Sequence, residues 1–108
     1  MEKARVKQIY KELYSEVEEI LFRNDPVRIN FESNTDEYDP EVSTILPRLK
    51  DAKSEADVHF IVHDECVKWF GSIVAGDKSQ QSYKDAAREI WDAWKKFNAK
   101  AEKQDASI

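Results

Sequence analysis

Glycine and proline are scarce in this chain, at two and three among 108 residues. That shortage argues against an all-β sandwich or barrel, which needs turn residues at roughly every eight to twelve positions, and it favours helices joined by few connections. Cysteine occurs once, so no intrachain disulfide can form. Cys66 falls on an apolar stripe, where a buried, reduced thiol is expected, and that points to the cytoplasm. Long apolar runs are missing as well: the N-terminal MEKARVKQIYKEL lacks the continuous apolar stretch of a secretory leader, and nothing approaches a membrane span. Positive charge is in deficit. With 17 Lys and Arg against 22 Asp and Glu, neither nucleic acid nor an anionic membrane is an expected partner. A Gly-rich phosphate loop and the GxSxG and HExxH motifs are absent, so no enzyme activity and no cofactor are expected.

What the chain does contain is helical periodicity. Val6, Ile9, Tyr10, Leu13, Val17, Ile20 and Leu21 recur at three- and four-residue steps and predict one helix from about Lys3 to Arg23, ended by Asn24-Asp25-Pro26. Its bases (Lys3, Arg5, Lys7, Lys11) precede its acids (Glu12, Glu16, Glu18, Glu19), an order that opposes the helix dipole and calls for compensation by neighbours or a partner. From Val27 to Glu32 apolar and polar residues alternate, which predicts an extended strap laying Val27, Ile29 and Phe31 across the helices. Asp39-Pro40 reads as an N-cap followed by proline at the first helical position, and opens a short helix through Val42, Ile45, Leu46 and Leu49 that Pro47 must distort.

The stretch from Ser54 to Gly71 organises the rest. Val58, Ile61, Val62, Cys66, Trp69 and Phe70 form one broad face, while Phe60 and Val67 lie nearly opposite, so this helix is expected at the centre with neighbours on both sides. Ser54 with Asp57 predicts its start, Gly71 its end. A last helix is expected from about Ser82 to Lys100, with Tyr83, Ala86, Ala87, Ile90, Trp94 and Phe97 facing the core and Trp91 on the flank, followed by a frayed tail from 101 to 108. The expected fold is all-α: a single domain over residues 1–108, a compact bundle of four helices with a short extended segment after the first, and a monomer.

Chemistry-bearing residues are few. His59 and His63 stand four apart with Cys66 three further on, and could offer metal ligands, but no further His or Cys completes a tetrahedral set. A metal-dependent enzyme built on His59 and His63 is the alternative from a different class, and self-association through the strap is a third. Glu32, Asn34 and Asp36 alternate as in a calcium loop, but Glu37 stands where glycine is needed and Ser43 where a bidentate glutamate is needed. The stronger signal is charge placement. Between Asp25 and Glu41 lie six acids and one base, Arg28, so this segment carries the whole negative surplus. Beside it stand twelve aromatic residues, three of them tryptophan. Acidic loops steer basic partners and aromatic side chains anchor interfaces. Asp25, Glu32, Asp36, Glu37, Tyr38 and Trp91 are therefore the expected partner-binding residues.

Asp25-Pro26, Asp36-Glu37-Tyr38-Asp39 with Glu41, Ile45-Leu46-x-x-Leu49 and Trp69-Phe70-Gly71 resemble the recurring pattern of a group of small bacterial all-helical proteins of uncharacterised function. Arg28 departs from the apolar strap usual in that group. The resemblance implies an all-α fold. Small acidic bacterial proteins of this kind are often immunity partners of toxins, and the expected function is accordingly a non-catalytic protein-binding domain that covers a basic toxin surface.

Overall fold

The periodic stretch at the N-terminus is broken once, at Lys11. A computed structural model of the chain describes residues 3–27 and 38–106, with side chains through Lys100. In it α1 covers Lys3–Tyr10 and α2 covers Glu12–Asn24. Between them Lys11 takes φ 50° and ψ −119°, a backbone that costs a non-glycine residue about 1–3 kcal/mol. The break redirects α1 onto α3 and the 3-10 helix that follows it. Val6 becomes fully buried, and Tyr10 packs against Trp94 and Phe97 at centroid distances of 6.4 and 6.0 Å. Ile9, expected on the apolar face, is 46% exposed instead, because the periodicity does not continue through Lys11.

The second periodic stretch also divides. α3 runs over Asp39–Ile45 and passes into a 3-10 helix, Leu46–Asp51. The distortion demanded by Pro47 is this tightening of the helix. Asp39 does not cap α3: it lies inside the helix, the residue before it is Tyr38, and no side chain caps that end. α4, Glu55–Phe70, starts as expected, with Ser54 Oγ accepting from the Asp57 N–H at 3.3 Å and Asp57 Oδ2 accepting from the Lys53 N–H at 2.8 Å. It stops at Gly71, whose φ of 85° is open to glycine at little cost. A four-residue helix, α5 (Ser72–Ala75), fills what reads as a loop, and α6 spans Gln81–Ala106, so its backbone stays helical into the tail expected to fray.

Six α-helices and no strand are present among the described residues; four were expected. Of the strap only Val27 is described, and it is buried; Arg28 to Glu37 lie outside the described residues. The contacts close a ring: α2 packs on α6, α6 on α4, α4 on α3 and α3 on α2, with the two most extensive contacts both made by α6. Ala86 and Ala87 are buried in that helix and admit its neighbours closely. α4 does have neighbours on two sides, α6 and α3, yet Phe60 faces neither and is 53% exposed. Trp69 lies on the same helical face as Val58, Ile61, Val62 and Cys66 but one turn beyond the core, so about half of it is exposed. Each fully buried Leu, Ile or Val in the ring contributes about 1.5–3 kcal/mol.

Candidate functional site

The acidic segment is anchored by a tyrosine. Asp25 ends α2 in a left-handed conformation, φ 46° and ψ 57°, with its N–H donating to the Leu21 carbonyl. Its Oδ1 accepts from the hydroxyl of Tyr38 at 2.7 Å, and the same hydroxyl accepts from the Val27 N–H at 3.1 Å. Tyr38 is fully buried. Burial, then the hydrogen bond to Asp25, pushes its phenol pKa well up. This clasp holds position 27 next to position 38. Glu32, Asp36 and Glu37 lie between those two in sequence, outside the described residues.

Further acids of the segment face inward. Asp39 is 8% exposed; its Oδ1 accepts from the Tyr14 hydroxyl at 2.6 Å, Lys3 Nζ pairs with Oδ2, and Lys7 Nζ lies 3.7 Å from Oδ1. Burial works to raise its pKa, but hydrogen bonds from Lys3 and Tyr14 outweigh that and hold the carboxyl below its ordinary value. Here the dipole-opposing bases of α1 find their counter-charge. Glu41, two residues on, is 2% exposed, and its Oε2 has no hydrogen-bond partner among the described residues. Burial, reinforced by the charge of Asp39, pushes it up to about 7.

Two of the expected contact residues thus have structural roles. Tyr38 offers no side-chain surface to a partner in this conformation, and Asp25 spends one carboxylate oxygen on it. Trp91 is half-buried against the core, with Lys95 Nζ 5.5 Å from its ring centroid. The large apolar groups in the open are others: Phe60 at 53%, Trp69 at 48%, Ile73 at 95% and Val74 at 52%. Trp69 Nε1 donates to Thr44 Oγ1 at 3.0 Å, which fixes the indole at the end of α4. Arg48 stands 6.0 Å from the Phe60 ring and pairs with Asp64 and Glu65 at 2.8 and 2.7 Å. Sequence reasoning missed Ile73 and Val74. The signal was available: two apolar residues confined between Gly71 and Gly76 belong to a helix too short to bury both.

The α2–α6 seam carries a surface of mixed charge. A groove of about 260 Å³ runs between Glu16, Glu19 and Arg23 of α2 and Glu89, Asp92 and Lys96 of α6, floored by Ile20 and Ala93. Arg23 pairs with Glu89 at 2.7 Å, and Glu89 also accepts from Asn24 at 2.8 Å.

The histidines latch a loop. His59 Nε2 lies 2.7 Å from the Lys78 carbonyl and His63 Nε2 lies 2.8 Å from that of Gly76. A carbonyl only accepts, so both Nε2 atoms carry the proton and neither presents a lone pair there. His63 also meets the Tyr83 ring edge-on at 5.0 Å. Cys66 is fully buried, and burial pushes its thiol up to about 12, far from the exposed thiolate a nucleophile requires. Among the described residues no group of three or more His, Cys, Asp or Glu is placed to hold a metal ion, and no helix is long and apolar enough to cross a membrane. Comparison of the chain with protein-family models, curated proteins and solved structures gives no match.

Proposed function

We propose that this chain is a non-catalytic protein-binding domain, built on four helical rods (α1–α2, α3 with its 3-10 extension, α4 and α6). The carrying observation is that three of the five large exposed apolar side chains among the described residues, Trp69, Ile73 and Val74, fall within six positions at the α4–α5 corner. Clustered exposed apolar groups mark interaction surfaces. The negative surplus supplies the second half of the reading: Glu32, Asp36 and Glu37 of the acidic segment, with Glu16 on the α2–α6 groove, favour a basic partner. Its most concrete form is an immunity protein that occupies the basic, phosphate-holding surface of a toxin such as a nuclease, acting in the cytoplasm as a monomer. The resemblance to small bacterial helical proteins is consistent with that form.

The test is co-expression of the chain with the products of neighbouring genes. Rescue of growth from a toxic neighbour, association that slows as salt rises, and loss of complex in the Trp69→Ala, Ile73→Asp double variant are the expected results. If no neighbouring product binds, or if the double variant binds as the parent does, the reading fails.

A further inference from the structure

Glu41 is the one buried side chain whose polar atom is left without a partner among the described residues. α1, α2, α4 and the 3-10 helix all pack against α3. The charged and titratable groups they bring to this region are Lys3 and Lys7 from α1, Tyr14 and Glu18 from α2, Glu65 and Cys66 from α4, and Arg48 from the 3-10 helix. The cations among them are committed elsewhere: Lys3 and Lys7 meet Asp39, while Arg48 meets Asp64 and Glu65. Tyr14 gives its hydroxyl proton to Asp39. Asp39, on α3 itself, adds negative charge two residues away. A carboxylic acid fits this position at moderate cost, whereas a carboxylate would lie in low dielectric beside another negative charge, with no donor for Oε2.

We propose that Glu41 is a proton-operated latch for α3: protonated, it lets the helix close on α2 and α4, and ionised, it drives the first turn of α3 open to water. Opening has a defined extent. Val42 and Ile45, like Leu46 and Leu49 of the 3-10 helix behind them, are fully buried and hold the body of α3, so the moving part is its first turn, Asp39 to Glu41. The same turn carries the Asp39 ties to α1 and α2, so loosening it also weakens the hold of α3 on the N-terminal helix. Tyr38, at the entrance to α3, links the latch to the clasp on the end of α2. The inference stands apart from the identity of any partner.

Amide hydrogen exchange on the full chain tests it, corrected for the intrinsic rate change with pH and read separately for α3 and α6. Between about pH 5.5 and about pH 8 the parent is expected to lose protection in α3 by at least about tenfold relative to α6, and Glu41→Gln is expected to keep it. The carboxyl carbon of Glu41, followed by NMR in the parent, should titrate near neutrality, a measurement that holds even if the variant fails to fold. Titration at the ordinary glutamate value, or equal loss of protection in α3 and α6, would overturn the proposal.

Discussion

The α1–α2–α3 junction and the α4–α5 corner break the same rule in opposite directions. At the junction two carboxyl groups, a phenol and two ammonium groups converge on the start of α3, and the carboxyls are almost wholly inside. At the corner Trp69, Ile73 and Val74 stand in water. Buried polar groups and clustered exposed apolar ones are the informative departures from ordinary burial. The junction spends stability to fix one arrangement of three helices. The corner costs the fold little, since Ala75 alone of α5 is buried in the core, and it holds apolar surface in reserve. Stability should therefore respond to substitution at the junction and binding to substitution at the corner.

Asp39→Ala tests the first half most severely. It removes the carboxylate that accepts from the buried Tyr14 hydroxyl and pairs with Lys3 and Lys7, leaving that hydroxyl only the main-chain carbonyl of residue 39 at 3.0 Å, and it should cost about 3 kcal/mol in urea denaturation. Lys3 and Lys7 are half exposed, so most of the loss belongs to Tyr14, and Tyr14→Phe combined with Asp39→Ala should cost less than the two separate losses added. A loss of no more than about 1 kcal/mol would reduce Asp39 to an ordinary helix-start acid.

pH sharpens the contrast within the junction. The Asp39 carboxyl is held below its ordinary 3.8, so its contribution is present above that value and is lost as pH falls through the folded one. Glu41 is raised from 4.5 to about 7, so its contribution is whole below 4.5 and is lost as pH rises through about 7. These two groups alone put the stability maximum at roughly pH 4 to 5. Glu41→Gln should be about 3 kcal/mol more stable than the parent near pH 8 and indistinguishable near pH 4. Parallel stability curves for parent and variant would contradict the burial of an ionisable group at this position.

Tyr38→Phe should cost about 1 kcal/mol, because it removes both hydrogen bonds of the clasp while keeping the ring in place. At the corner, Ile73→Asp should leave stability within about 0.5 kcal/mol of the parent while abolishing partner capture. A larger loss of stability would mean that Ile73 belongs to the core and would erase the difference between the two regions.

The periodic stretches of the sequence located nearly all the helical residues and most of the core, since Val17, Val42, Val58, Ile61, Val62, Ala86 and Ile90 are buried as their spacing predicts. Ser54, Pro47 and Gly71 act locally, and local chemistry was legible. Three features depended on where helices end in space. Lys11 carries no turn signal, and its left-handed backbone follows from the docking of α1 on α3. Trp69 lies on the correct face but at the end of α4, where its indole N–H reaches Thr44 of α3 and about half of its surface stays exposed. Asp39 reads as an N-cap and Glu41 as one more acid of the negative segment, and only the approach of α1, α2 and α4 turns them into interior groups. The internal bond between Asp25 and Tyr38 went unread for the same reason: partners 13 residues apart are not visible in periodicity.

The tyrosine clasp has a further consequence for how such a chain can vary. Because Val27 and Tyr38 are tied to each other and to the end of α2, the close of α2 and the opening of α3 share one anchor. Asp25 and Tyr38 are therefore positions that descendants of this sequence can change only together, since either substitution alone strips the bond that joins the two helix ends.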